Sequence, residues 1–352
     1  MRIGLYGMPT AGKSYILEKI NFMEALEGSK MLREICPDFD RQNDHQKGII
    51  RRQLADTLEQ KDSFIMDGHY VFGDQIVFTE SDGRLYDVFL YLYISPDVLK
   101  ARMDISDRNK KYLKYDVESW QRNEIEALRE YCHRNDKDFY VVDNPPENVF
   151  VDISEVIAFI KAIVGGYSCL SYAKICAEKI MASTKSDTVT LMDGDKTITI
   201  EDSSHAVFDY STHLYDGNFY TGYQSWKQTK EFEQYDFDDI RELPVDLNET
   251  VCQAINSDTF ILTSGHERVW CYISNYLKVP FYYGVEMSAE TKFFITKLLQ
   301  KVGKRVIAYG DGMNDYYMLK QSDQGYLIAK TDGTISRSLK NRDLGGIVIV
   351  RT

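Results

Sequence analysis

The chain has 352 residues, a formal net charge of -12, and 43% hydrophobic and 27% charged residues. That is an ordinary globular composition, and at roughly 150 residues per domain the length predicts two domains. The sequence holds no run of about 18 apolar residues and no signal-peptide pattern of cationic start, apolar stretch and small-residue cleavage site, so neither a membrane span nor a leader is expected. An acidic surface also disfavours a long nucleic-acid footprint, because it repels phosphate backbones.

The first 165 residues alternate strand and helix patterns. Residues 2–6 read as a short apolar strand, and 13–25 have helical apolar spacing through Ile16, Leu17, Ile20, Phe22 and Met23. A helix over 49–60 and a strand over 63–66 follow, then a strongly buried strand over 86–94. The next helix, 96–103, opens with Ser95 as cap and Pro96 at its first position. Helix 117–133, strand 139–142 and helix 151–164 complete the region. Such alternation predicts a parallel sheet with helices on both faces.

Pro145-Pro146 and Gly165-Gly166 punctuate the end of this half. We expect a linker or helix over 166–187, helical at 170–183, and a second α/β domain over 188–352 with strands at 188–192, 260–263, 305–309 and 324–328. Six cysteines (Cys36, Cys132, Cys169, Cys176, Cys252 and Cys271) are scattered without CxxC pairs. That is the pattern of reduced thiols in a cytoplasmic protein rather than of a zinc site or a disulfide framework.

Directly after the first strand stands Gly7-Met8-Pro9-Thr10-Ala11-Gly12-Lys13-Ser14, which matches GxxxxGK[ST]. Gly7 and Gly12 let backbone N–H groups curl around a phosphate. Lys13 at this spacing reaches the β/γ oxygens of a triphosphate, and the Ser14 hydroxyl ligates Mg²⁺. With this loop, the strand end "FIMDGHY" and the stretch "ARMDISDRNKKYLKYDVESWQRNEIEALREYC", the half resembles the adenylate-kinase-like branch of the P-loop nucleotide kinases.

The resemblance implies ATP as phosphate donor. It makes Asp67 the acid that organises Mg²⁺ and water, with His69 beside the acceptor, and gives the phosphate clamp to Arg102 and Arg108, less firmly to Arg122 and Arg129. Either reading of Asp67, catalytic or simply capping a turn, fits its place. The acid cluster in "REICPDFDRQNDH" supplies Asp38, Asp40 and Arg41 where an acceptor pocket would lie. Asp38 there would orient or deprotonate an acceptor hydroxyl, and a solvated loop is the plainer alternative.

A second set of motifs lies in the other half. "TLMDGDKTIT" ends a strand with Asp193-Gly194-Asp195-Lys196-Thr197. "FILTSGHE", a lysine in "SAETKFFITKLL" and "VIAYGDGMNDYYML" follow in order. Order, spacing and strand-end placement resemble the haloacid dehalogenase-type phosphatases, above all the phosphoserine-phosphatase-like branch. By that match Asp193 is the nucleophile that forms an aspartyl-phosphate, and Asp195 is general acid, then base on water. Thr197 fixes the loop, and Ser264 (with Thr263 as fallback) bonds the phosphoryl oxygens. Lys292 offsets the negative charge. Asp311 holds Mg²⁺ with Asp193 and the Asp195 carbonyl, while Asn314 and Asp315 position Lys292 or substrate. Lys196 departs from the small residue many relatives carry.

Residues 198–259 occupy the place of the cap this superfamily inserts. The cap is rich in aromatics (Tyr210, Tyr215, Phe219, Tyr220, Tyr223, Trp226, Phe232, Tyr235, Phe237), whose rings would either stack on a base or pack a small cap. Between 201 and 250 stand 12 Asp/Glu against 3 Lys/Arg. The sequence therefore reads as a bifunctional enzyme, an ATP-dependent kinase joined to a Mg²⁺-dependent phosphomonoesterase acting on a nucleotide or small phosphorylated metabolite. The runner-up is 5′-hydroxyl kinase and 3′-phosphatase chemistry on nucleic-acid ends, because the domain order resembles phage polynucleotide kinase-phosphatases. The acidic cap and the lack of a basic stripe disfavour it. A third reading is a nucleotide-sensing module with one vestigial site.

Overall fold

The computed structural model describes residues 1–73, 75–143, 153–208, 210–215, 219–234, 243, 245–330 and 332–351. The chain divides into two compact units, Met1–Tyr167 and Ser168–Thr352.

In the first unit the elements run β1 (Arg2–Tyr6), α1 (Lys13–Lys19), β2 (Ala25–Leu26), α2 (Gly28–Ile35), α3 (Asp44–Leu58), β3 (Phe64–Asp67), a hairpin of β4 (Val71–Phe72) and β5 (Gln75–Ile76), α4 (Glu80–Leu85), β6 (Val88–Tyr93), α5 (Pro96–Asp104), α6 (Val117–Arg134), β7 (Asp138–Asp143) and α7 (Ser154–Val164). The sheet is wholly parallel, ordered β2-β3-β1-β6-β7. Its strands are near-continuous apolar runs because helices cover both faces. Ile3, Phe64, Ile65, Phe89, Leu90 and Val141 are fully buried. In this order β1 is central, so the loop that follows it opens at the carboxyl edge of the sheet, where α/β folds place their ligands.

The first helix is shorter than its apolar spacing predicts. Ile20 turns extended, and Ala25–Leu26 then pair with Ile65 and Met66 of β3, so sheet pairing overrides helix periodicity. The third helix begins five residues before the predicted 49, because the Asn43 side chain accepts the Gln46 N–H and caps it there. Ser95 flanks α5 with Pro96 at its start, as read, but its side chain makes no capping bond. Residues 145, 146, 151 and 152 lie outside the described residues.

The second unit opens with α8 (Cys169–Ser183), followed by β8 (Thr188–Asp193), α9 (Ser203–Phe208), α10 (Gly222–Phe232), α11 (Glu249–Cys252), β9 (Thr259–Leu262), α12 (Glu267–Leu277), β10 (Phe281–Tyr282), α13 (Ala289–Lys301), β11 (Arg305–Gly310), α14 (Met313–Gln321), β12 (Gln324–Ala329) and β13 (Ile347–Arg351). Its six parallel strands run β10-β9-β8-β11-β12-β13, with β8 and β11 at the centre. The stretch expected to link the halves contains α8, which buries Ala173, Cys176, Ala177 and Ile180 in the core of this unit with residues of α13 and α14. On the opposite face Trp270 is fully buried with Val269, Ile273 and Val251. All six cysteines are free. Among the described residues no single helix is long and apolar enough to cross a membrane.

Candidate active sites

In the first unit the loop after β1 is built by backbone conformations that side chains resist. Gly7 and Gly12 have φ of 152° and 99°, and Gly12 leads directly into α1, so the loop N–H groups and the helix start converge on one place. Lys13 is 5% exposed. Its ammonium donates to the carbonyls of Gly7 at 2.6 Å and Met8 at 3.1 Å, and no carboxylate pairs with it among the described residues. Burial pulls Lys13 down to about 8, with the fields of Asp67 and Glu124 opposing. It is a buried cation without a partner anion among the described residues.

A cleft of ≈ 400 Å³ extends from this loop and is lined by Lys13, Ser14, Asp67, His69, Arg108 and residues of α2 and α3. Asp67 does cap a turn: its Oδ1 accepts the N–H of Gly28, the first residue of α2, at 2.8 Å. It also lines the cleft, so the two readings of this residue coexist. His69 is held well below its ordinary value by burial and by Lys13, Arg108 and Arg51, and its Nδ1 has no hydrogen-bond partner.

The lid arginines separate. Arg108 reaches the cleft, whereas Arg102 donates to the Thr10 and Ala11 carbonyls at 3.0 and 3.5 Å and supports the loop from behind. Arg122 is exposed and bonds Ser119. Arg129 is buried against Glu126 at 2.9 Å and over the Phe139 ring. Asp38 is exposed and does not line the cleft. Its neighbour Asp40 does, paired with Arg33 at 3.1 Å. Sequence reasoning missed Arg51 and Asp82, which line the cleft from α3 and α4, and buried Glu124, which binds the Val71 N–H and the Tyr91 hydroxyl. Each lies far in sequence from the motif it serves, so no local signal marks it.

In the second unit the motif residues meet closely. Lys292, fully buried on α13, donates to Asp193 Oδ1 at 2.5 Å and Asp315 Oδ1 at 2.8 Å. Burial pulls this lysine down, but the two carboxylates outweigh it and hold the ammonium above its ordinary value. Ser288 caps α13 by accepting the Thr291 N–H and so fixes the helix start one turn before Lys292. Asp315 also accepts the Asp311 and Gly312 N–H groups, at 3.1 and 3.3 Å. Thr197 donates to Asp193 Oδ2 at 3.3 Å, and Asn314 donates to Ser264 Oγ at 3.1 Å. Thr263 Oγ1 accepts the Gly265 N–H at 3.0 Å; Thr263 is buried and Ser264 half-buried, and both line the cavity.

Asp195 accepts the Ser203 N–H at 2.7 Å and the Trp270 indole N–H at 3.3 Å. A Cβ on Gly265 would stand 2.4 Å from both Asp195 Oδ2 and Trp270 Nε1, so this position is glycine because the acid and the indole close over it. Burial and Asp315 push Asp193 up to about 7 against Lys292. Burial and Asp202 push Asp195 up to about 6 against its two donors. Burial, Asp315 and Asp193 push Asp311 well above the carboxylate range. Lys196 sits at φ 61° and pairs with Asp202 at 2.8 Å.

Ligand oxygens of Asp193, Asp311 and Asp315 lie within 4.8 Å of one another. These hard donors, with charge in excess of the local cation, fit Mg²⁺. Asp193 and Asp315 each give one oxygen to Lys292, while Asp311 makes no ion pair among the described residues. The cavity above them is ≈ 840 Å³, and the cap residues Tyr210, Tyr215 and Tyr220 line it. Tyr223, Trp226 and Phe232 pack inside the cap instead, and Tyr235 and Phe237 lie outside the described residues.

Each unit is a parallel α/β sheet with its motif loop directly after a central strand, β1 in the first and β8 in the second. Solved structures similar to part of the chain include shikimate kinase from Acinetobacter baumannii in complex with shikimate (14% identity, 46% of this chain and 93% of that chain, TM-score 0.34) and shikimate kinase from Bacteroides thetaiotaomicron (16% identity, 46% and 98%, TM-score 0.32). Another is a substrate-bound phosphoserine phosphatase complex (14% identity, 48% and 95%, TM-score 0.26). No family model and no curated protein matches the chain.

Proposed function

We propose that the chain is a bifunctional enzyme: an ATP-dependent kinase acting on a hydroxyl or phosphate of a nucleotide or small metabolite, and a Mg²⁺-dependent phosphomonoesterase. The observation that carries the reading is the buried grip of Lys292 on Asp193 and Asp315 beside Asp311. The third acid lies within reach of both carboxylates, with its oxygen within 4.8 Å of theirs.

In the phosphatase, Asp193 attacks phosphorus, and the ester P–O bond breaks as Asp195 gives its proton to the leaving oxygen. Asp195, now ionised, takes a proton from water. The water oxygen then attacks phosphorus, and the bond to Asp193 breaks to release inorganic phosphate. Ser264 and the Asn314 amide bind phosphoryl oxygens, and Lys292 balances their charge. Bound Mg²⁺ would supply further neutralisation of those oxygens. In the kinase, Lys13 and the loop N–H groups would hold the triphosphate and Ser14 would hold its Mg²⁺, with Arg108 facing the transferring group and a cleft carboxylate (Asp67 or Asp40) taking the acceptor proton.

The order of the two units also favours a second reading, repair of nucleic-acid ends by 5′-hydroxyl kinase and 3′-phosphatase activities. The balance of 12 acids to 3 bases across 201–250 supports small substrates over it. Purified protein with labelled ATP, screened against nucleosides, nucleotides, sugars and short oligonucleotides, tests the kinase half. Trapping of an aspartyl-phosphate at Asp193 tests the other. Absence of ATP turnover would leave a nucleotide-sensing module, and absence of trapping would remove the phosphatase.

A further inference from the structure

The cavity above Asp193, at ≈ 840 Å³, is in the range of pockets that enclose whole small molecules and is much larger than one phosphoryl group requires. Its charges are unevenly placed. Acids crowd the chemical end. Of the lysines and arginines on the wall, Lys196 is paired with Asp202 at 2.8 Å and Lys330 lies in the field of Asp332. Arg337 has no hydrogen-bond or ion-pair partner among the described residues.

The backbone that carries Arg337 is nevertheless firmly mounted. On one side Ser336 and Ser338 share a hydrogen bond at 2.9 Å, and Ser338 Oγ accepts the Met313 N–H at 3.1 Å. This ties the segment to the start of α14, the helix that presents Asn314 and Asp315. Leu339 beside it is 2% exposed and locked into the core. The turn before it closes on itself, with Lys330 N–H donating to the Thr334 carbonyl at 2.8 Å and Asp332 accepting the Thr334 N–H at 2.9 Å. From the cap, Tyr220 lines the same cavity as Ser338, and Tyr215 stacks on Tyr220 at 4.6 Å. The Arg337 side chain itself is exposed and lines the cavity whose wall Tyr215 and Tyr220 share; a planar fork of donors, unused among the described residues, suits an anion with several oxygens.

We propose that Arg337 binds a second phosphoryl group, remote from the one cleaved, so that the substrate of this site is a bisphosphorylated small molecule of nucleotide size. The inference rests on the phosphomonoesterase reading and extends it from the reacting phosphate to the rest of the substrate. The stacked Tyr215–Tyr220 pair offers a flat surface for a base or another planar group. No new chemistry is involved: the bond broken is the same ester bond at Asp193.

The test uses hydrolysis of p-nitrophenyl phosphate by the full chain, with adenosine 3′,5′-bisphosphate, adenosine 3′-monophosphate and adenosine 5′-monophosphate as competitors. Wild type should bind the bisphosphate about tenfold or more tightly than either monophosphate, the size of a charge-assisted contact. In Arg337→Gln that gap should close to within about twofold, with kcat/KM for p-nitrophenyl phosphate unchanged; Arg337→Lys, which keeps charge but loses the fork, should fall between. Equal inhibition by all three nucleotides in wild type, or a gap that survives Arg337→Gln, overturns the proposal. Failure of wild type to hydrolyse p-nitrophenyl phosphate at all overturns instead the phosphomonoesterase reading beneath it.

Discussion

Each unit buries one lysine at its phosphate site, and the two are held in opposite ways. Lys13 donates only to backbone carbonyls and sits below its ordinary value. Lys292 bridges two carboxylates and sits above it. Under the proposed function, the difference follows from what each site would do. A phosphate carried in as a triphosphate brings its own charge, so the loop keeps a desolvated ammonium ready for it. A site whose nucleophile is itself an anion must neutralise that nucleophile before any substrate arrives.

The strongest test of this contrast is Asp193→Asn. Phosphatase activity should fall by about 10⁴-fold or more, as expected when a covalent nucleophile is lost, while ATP-dependent transfer stays within a few-fold. Retained phosphatase turnover would remove Asp193 from its role. Lys13→Ala should lower phosphoryl transfer from ATP by about 10²–10³-fold, the effect of losing a preorganised donor, and leave p-nitrophenyl phosphate hydrolysis untouched. If both activities fall, circular dichroism distinguishes misfolding from coupling between the units.

Stability sharpens the comparison further. Lys292→Met strands two buried carboxylates and should destabilise the protein by about 3–5 kcal/mol near pH 8 in chemical denaturation; no loss would mean the ion triad is not desolvated. Lys13 predicts a pH dependence of stability. Its folded value is near 8 against 10.5 free, so between those values the unfolded chain holds a proton that the folded chain has released. Stability then rises with pH across that window, by on the order of 3 kcal/mol. The rise should vanish in Lys13→Met, and unfolding curves of the two proteins at pH 7.5 and 10.5 measure it by difference.

The smallest effect concerns substrate size. A 3′-phosphorylated oligonucleotide should be a poorer phosphatase substrate than matched mononucleotides, because each repulsion across the acidic cap costs about 1 kcal/mol in water. If kcat/KM instead favours the oligonucleotide by about tenfold, end repair becomes the better account.

What the sequence revealed followed the range of the interactions. The loop from Gly7 to Ser14 and the strings around Asp193 and Asp311 are local, because phosphate binding needs backbone and side chain within a few residues of each other. The parallel strands were legible from their apolar runs, and the long α6 from its periodicity. The short pieces β2, α2, α4 and β10 were not, since pairing and capping decide them rather than pattern. Within the sites, the indole N–H on Asp195 and the placement of Asp40 rather than Asp38 in the cleft come from helices meeting in space. The lid arginines show the same limit: Arg102, Arg108, Arg122 and Arg129 look alike in sequence and take four different positions.

The bond between Trp270 and Asp195 gives the second unit a natural optical probe. Indole emission responds to the charge and hydration of what its N–H touches, and the chain has only two other tryptophans, Trp120 and Trp226. With those two replaced by phenylalanine, fluorescence of the remaining ring would follow events at the acid in real time, on an unlabelled protein and without a chromogenic substrate.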